Sequence, residues 1–247
     1  TFTGTVAATA FSGDGSALTG VDSLPSQTGN ADKYLTTDGT TASWDDVAGG
    51  GLQSMQVFTS SGTWTRPAGI TKIKVTVTGG GGAGGGAEAY YGQPGGGGAG
   101  GTAIRFLDVS AISSVVVTIG AGGTGVAGSS NGNAGGNSSF GSYAAGVGGS
   151  GGGGRQNPFG GNRGGASYGD INISGGTGNG CGSEANQDGS GGGAASYHGG
   201  GGGGLQATNG AGYGGEAYGS GGGGAINRTN NGANYAGGPG KAGITIV

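Results

Sequence analysis

A 247-residue chain with 75 glycines, 32% hydrophobic residues, 9% charged residues and a net charge of −3 offers no basic surface for nucleic acid or anionic membrane. No apolar run approaches the ~20 residues that a bilayer span needs, so no membrane insertion is expected. A single cysteine, Cys181, and a single histidine, His198, rule out an intrachain disulfide and a zinc site; no metal or cofactor is expected, and Cys181 reads as an inert thiol. Opening at Thr1 rather than Met, the sequence reads as the C-terminal piece of something longer.

Only 11 of the glycines fall in the first 78 residues, and the shift in composition marks a boundary near residue 50. The division expected is 1–54 and 55–247. The first part contains "FSGDGSALTGV" (11–21) and "TGNADKYLTTDGTTASWDDV" (28–47). It is rich in Thr, Ser, Asp and Gly, with isolated apolar residues and acids at 14, 22, 32, 38, 45 and 46 against one base, Lys33. Too few apolar side chains are present to close a core within one chain, so packing between identical chains is expected.

From Gln56 the pattern is β. A strand runs through Phe58, a turn follows at 60–62, and a short strand passes through Trp64. Arg66-Pro67-Ala68-Gly69 has Pro at i+1 and Gly at i+3, as a type I turn prefers. Residues 70–78 then alternate strictly, with Ile73, Val75 and Val77 on one face and Lys72, Lys74, Thr76 and Thr78 on the other; the two lysines read as solvated. Further strands are expected at 102–107, 114–119 and 243–247.

Between these strands, glycine runs alternate with short inserts. They lie at 79–86, 95–101, 120–125, 146–154, 189–193, 199–204, 219–224 and 236–243, with looser ones at 132–136 and 175–182. Helical periodicity is interrupted by glycine throughout, so no α-helix is expected. Glycine loses the most backbone entropy on ordering and has no side chain to bury. Such runs order only if their backbones find partners. A polyproline II-type helix has three residues per turn, about 3.1 Å rise and no internal hydrogen bonds, so stacked helices can bond to one another. Close approach excludes Cβ, so inner rods are expected to be nearly pure glycine, with Ala or Ser facing outward. The fold class expected is all-β plus irregular: a short stem, a small sheet base and a bundle of polyglycine II helices.

"VVVTIGAGGTG" (115–125) matches the Gly-x-Gly-x-x-Gly dinucleotide fingerprint at Gly120, Gly122 and Gly125. That site needs a following helix and an acid about 20 residues on. "VAGSSNGNAGGNSS" cannot form the helix, and no acid occurs between Asp108 and Asp170. The match reads as a strand meeting a glycine rod. "GGSGG" (148–152) fits the nucleophile-elbow pattern with only His198 available as base, and no carboxylate pair stands out. No enzyme activity is expected.

Counting passes away from the sheet sorts the inserts into two sets. The sheet-end set repeats a small residue before Tyr143, Tyr168, Tyr197 and Tyr218, read as a structural tyrosine. The far-end set carries adaptable amides, arginines and aromatics suited to recognition on scaffolded loops: Tyr90, Tyr91, Gln93, Arg155, Gln156, Asn157, Phe159, Arg163, Asn186, Gln187, Asn227, Arg228, Asn230, Asn231 and Tyr235.

"FTSSGTWTRPAGITKIKVTVTGGGGAGGG", "VTIGAGGTG", "NSSFG" and the closing "AGITIV" resemble the glycine-rich C-terminal domain of bacteriophage tail fibres. Glycine runs broken by variable loops are similar to those of T-even-type distal adhesins. The segments at 11–21 and 28–44 resemble stems of trimeric fibres. The resemblance implies a virion protein, a homotrimer joined on its N-terminal side to the rest of the fibre or baseplate, and polyglycine II loops that bind an outer-surface protein or polysaccharide of the host. In T-even phages the adhesin is a separate subunit, whereas here stem and glycine domain share a chain. A structural tip without receptor contact and a glycan depolymerase are the alternatives.

Overall fold

The computed structural model describes residues 25–46, 52–88, 93–155, 159–181, 189–205, 209–229 and 232–247. The chain divides into two compact units, Thr1–Ser54 and Met55–Val247. The segment 11–21 singled out above lies outside the described residues. In the first unit β1 (Lys33–Thr37) and β2 (Ala42–Asp46) form an antiparallel hairpin. Its tip is set by Asp38, whose carboxylate accepts the N–H groups of Thr40 and Thr41, both at 2.8 Å. These bonds hold the Asp38 carboxyl below its ordinary value. Gly39, at φ +93°, takes the left-handed conformation that glycine adopts without strain. Lys33 pairs with Asp46 at 3.6 Å, and the Trp44 indole N–H donates to the carbonyl of Pro25.

The second unit starts as a β-sandwich. Strands β3 (Val57–Phe58), β5 (Lys72–Thr78), β6 (Thr102–Asp108), β11 (Ile171–Ile173) and β12 (Ile244–Ile246) form one sheet in the order β11-β6-β5-β12-β3. Strands β4 (Gly62–Thr65), β7 (Ser114–Thr118), β8 (Ser138–Phe140), β9 (Ala144–Gly146) and β10 (Ala166–Ser167) form the other, in the order β10-β9-β8-β7-β4. Every strand pair is antiparallel. The period-2 alternation sends Val75, Val77, Ala103, Val115 and Val117 inward against Trp64, Phe140 and Ala144. Trp64 and Phe140 meet edge to face at 5.6 Å, a favoured aromatic geometry. No helix is present among the described residues.

Strand β5 runs straight into rod 79–87, which changes partner at every residue. Gly79, Gly82 and Gly85 donate to the carbonyls of Gly101, Gly98 and Gly95. Gly80, Ala83 and Gly86 donate to Gly136, Asn133 and Ser130, and Gly81, Gly84 and Ala87 to Lys241, Gly238 and Tyr235. Each partner rod recurs every third residue, the period of a three-residue-per-turn helix. The acceptor number falls as the donor number rises, so these three rods run antiparallel to 79–87. The carbonyls of 79–87 face three parallel rods: Gly80 and Ala83 accept from Gly149 and Gly152, Gly82 and Gly85 from Gly222 and Ala225, and Gly81 from Gly123. Six neighbours around a threefold helix is hexagonal packing.

Rods 94–101 and 219–226 are surrounded in the same way, and with 79–87 they form a mutually touching trio that is buried along its whole length. Nine other rods ring the trio: 120–126, 130–137, 147–154, 159–165, 175–181, 189–194, 200–205, 209–215 and 235–243. That is also their chain order, and Gly240 closes the ring by donating to Gly123. A Cβ added at most of the inner glycines would be driven into a neighbouring carbonyl, as at Gly97 against Gly82.

Several expectations are corrected. Ala83, Ala87, Ala99, Ser220 and Ala225 do not face outward; they are buried in the inner trio. A methyl carries no polar atom to strand, and the Ser220 hydroxyl is satisfied by the carbonyl of Ala217 at 2.7 Å. The turn after β4 is shifted by one residue. Ile70 donates to Pro67, and Gly69 sits at φ +79°, which is position i+2 of a type II turn rather than i+3 of type I. Thr76 and Thr78 are buried although they share a face with the exposed Lys72 and Lys74. The loop bearing His198 covers that end of the face, with His198 Nε2 at 3.1 Å from Thr78 Oγ1. The tyrosine repeat is not uniform: Tyr143 packs against the core, while Tyr168 and Tyr197 are exposed.

Gly97→Ala is expected to destabilise the second unit by about 1–3 kcal/mol or more, the cost of overpacking, through its clash with the Gly82 backbone. Gly203→Ala, whose methyl would meet only the Tyr213 ring at 3.6 Å, should change stability by no more than about 1 kcal/mol; urea unfolding of both variants checks the contrast. Thr245 is fully buried and its hydroxyl has no partner. The near-isosteric Thr245→Val should therefore raise stability by about 1 kcal/mol, read as a higher melting temperature.

Candidate functional site

The rods deliver chain reversals to two ends. At the sheet end lie the hairpin β8–β9, the connection by which β10 in one sheet leads to β11 in the other, and the turns near 195–199 and 216–218. At the other end lie six pairs of antiparallel rod ends, 87 with 94, 126 with 130, 154 with 159, 181 with 189, 205 with 209 and 226 with 235, the reversal at 127–129 being described in full. The reversal near Gly128, where φ is +79°, is absent from the sequence-based set. The signal for it was the loose run 132–136, which could be recognised as a returning rod.

The roots of the far-end loops are tied to one another. Arg155 pairs with Glu88 at 3.3 Å, which joins two loops. The Gly154 N–H donates to Asn131 Oδ1 at 2.8 Å. Asn209 accepts from the Arg228 N–H and donates to Thr229 Oγ1, both at 2.7 Å. The Ser190 hydroxyl accepts from the Leu205 N–H and donates to the carbonyl of Gly224. The Cys181 thiol donates to the Gly189 carbonyl at 3.2 Å; its burial raises its pKa, which keeps it protonated and unreactive. Polar side chains that sequence reasoning did not single out therefore clamp these roots: Glu88, Asn131, Ser190 and Asn209.

The residues singled out from sequence have different fates. Phe159 opens its returning rod and is 73% exposed. Gln93, Arg155, Arg228 and Tyr235 are half-buried at the loop roots. Tyr235 also exchanges a pair of backbone bonds with Ala87. Asn227 is fully buried and donates to the carbonyl of Ala233 at 2.7 Å; it shapes its loop rather than facing outward. Arg163 is exposed but lies four residues down the rod from Phe159, about 12 Å at the rise of such a helix, so it sits on the flank. Its place beside the glycine pair 160–161 in "FGGNR" hid this, because the rod begins at Phe159. Tyr90, Tyr91, Gln156, Asn157, Asn186, Gln187, Asn230 and Asn231 lie outside the described residues.

The Gly120-x-Gly122-x-x-Gly125 segment is a ring rod, bonded to Gly81, Gly136, Gly240 and Gly243. A polyglycine ladder spanning most of the chain, broken by inserts and rooted in a two-sheet sandwich, is the decisive feature.

The chain belongs to the glycine-rich domain family. The family model matches residues 56–247, the span of sandwich and rods together. No curated protein matches the sequence.

Within this glycine-rich domain the described residues hold no cluster of three or more His, Cys, Asp or Glu side chains able to bind a metal, and no helix long and apolar enough to cross a membrane. The far-end side chains offer guanidinium, amide and aromatic groups, which make hydrogen bonds and stacking contacts. The one imidazole, His198, lies at the sheet end. It bonds to Thr78, which in turn bonds to Thr102 at 2.8 Å, and it lies edge-on to Tyr197.

Burial lowers the His198 pKa below 6.5, so the folded state disfavours its charged form. The resulting stability is fully present above the unfolded value of 6.5 and is lost as pH falls through the lower folded value. Urea midpoints measured from about pH 7 down to pH 5 should therefore fall in the parent and fall less in His198→Gln.

Proposed function

We propose that this chain is the distal piece of a bacteriophage tail fibre, and that its glycine-rich domain is a non-enzymatic adhesin that binds a receptor on the host surface. The observation that carries this reading is the gathering of six pairs of antiparallel rod ends at one end of a mutually bonded bundle. A loop on such a scaffold loses little further freedom on binding, so more of its contact energy appears as affinity. Exposed Phe159 beside the Arg155–Glu88 pair supplies an aromatic anchor next to charge, the composition of interface hot spots. The resemblance to tail-fibre tips supports the placement at the end of a virion fibre. The homotrimer belongs to the same proposal, supported by the sparse apolar content of residues 1–54. The receptor class is an outer-surface protein or polysaccharide.

A purely structural tip is the competing reading, and adsorption assays separate the two. Substituting Arg155, Asn157 and Phe159 together with alanine should lower adsorption by about tenfold or more, since a single hot-spot side chain contributes about 2 kcal/mol. Arg163→Ala, on the rod flank, is the control and should leave adsorption intact. Unchanged adsorption of the triple variant would leave the structural tip. Parallel pull-downs against protease-treated and glycan-stripped envelopes assign the receptor class.

A further inference from the structure

Asparagine followed by glycine is the least shielded setting for an asparagine side chain, because glycine puts no side chain beside the backbone nitrogen that can attack the carboxamide. The sequence holds four such pairs: Asn131-Gly132, Asn179-Gly180, Asn209-Gly210 and Asn231-Gly232. The last has its asparagine outside the described residues. The other three all lie within two residues of a far-end rod terminus, so fraying alone does not separate them; their hydrogen bonds do. The Gly132 N–H donates to the carbonyl of Gly152, and the Gly210 N–H to that of Ile226. The Asn131 and Asn209 side chains are held by the N–H groups of Gly154 and Arg228. At 179–180 the arrangement is reversed. The bond of that peptide group uses the Asn179 carbonyl, which accepts from the Gly96 N–H of the inner trio at 2.9 Å. The Gly180 N–H and the Asn179 carboxamide have no hydrogen-bond partner among the described residues. Of the three pairs, this is the one in which both residues are exposed.

We propose that Asn179 is a self-modification site, at which the folded chain converts an asparagine to aspartate and isoaspartate. The Gly180 nitrogen attacks Asn179 Cγ and the new C–N bond closes a five-membered succinimide. The side-chain nitrogen leaves as ammonia, carrying the proton that Gly180 gives up. Water, the one co-reactant, then opens the ring. Breaking the bond from Gly180 N to Cγ gives aspartate. Breaking the bond from Gly180 N to the main-chain carbonyl gives isoaspartate, with the chain routed through Cβ and Cγ. The extended backbone of a rod holds Gly180 N away from Cγ, so closure follows opening of the rod end. At Gly132 and Gly210 the attacking N–H must also give up its own hydrogen bond before it can lose its proton. Either product adds a negative charge. Isoaspartate also adds a backbone atom and takes the carbonyl that meets Gly96 out of the main chain, so rod 175–181 loses its threefold register beside a pair of far-end rod ends.

The test ages the folded full-length chain in mildly alkaline buffer and follows each pair by peptide mass mapping, with a urea-unfolded aliquot alongside. In urea the three pairs should react at similar rates, because the neighbouring residue is glycine in each. In the folded chain Asn179 should react about fivefold or more faster than Asn131 or Asn209, the factor that one backbone hydrogen bond is worth. Amide exchange at Gly96 should quicken in step with the isoaspartate formed, and Asn179→Gln should remove both changes. Equal rates at the three pairs in the folded chain, or reaction at Asn179 in urea alone, would overturn the proposal.

Discussion

Everything in the second unit depends on one constraint: a polyglycine helix of threefold period has no bonds of its own, so every N–H and C=O must be met by another rod. Ordering a residue costs about 1–2 kcal/mol, and a backbone hydrogen bond returns about 1 kcal/mol net. With almost no side-chain burial to add, an isolated rod does not order. A hexagonal bundle changes this, because the inner N–H groups are all bonded, most inner carbonyls accept from a neighbouring rod, and the rods are packed on all sides. The bundle is therefore cooperative, and glycine is required where rods touch, because a Cβ would occupy the space of a neighbouring carbonyl.

The sandwich solves the problem of starting such a bundle. Strands β5, β6, β7, β9 and β12 adjoin rods directly, so the core of Trp64, Val75, Val77, Val117 and Phe140 fixes both the spacing and the relative height of the rods that follow. The chain lays down 79–87 and 94–101 first, winds the ring around them, and sends 219–226 into the centre. Rods laid down early are buried by those that come later. The last rod, 235–243, bonds to both 79–87 and 120–126 and ends in β12 beside β5, which ties the end of the domain to its beginning.

Rigidity at the rods and freedom of sequence at the loops are two sides of the same arrangement. The rods constrain nearly every position to glycine. The reversals carry most of the polar and aromatic chemistry of this unit, and their roots are clamped by polar side chains such as Asn131, Ser190 and Asn209. A surface built this way can change its loops without disturbing its support, because the support is made of backbone.

The sequence by itself determined the elements. Alternation in 70–78 and 114–119 marked the strands that hold the core, and the glycine runs marked ten of the rods, because those patterns follow from local periodicity and the absence of side chains; the rods 159–165 and 209–215 escaped, because Asn162, Arg163 and Tyr213 interrupt their glycines. It did not reveal that Ala83 and Ala99 are buried, that Thr76 and Thr78 are covered, that Asn227 turns inward, or that Arg163 lies on a rod flank. Those outcomes depend on which rod neighbours which and on the register across five strands. Glycine carries no side chain to encode its partner, so only the closed bundle, with all neighbours in place, decides where each remaining side chain points.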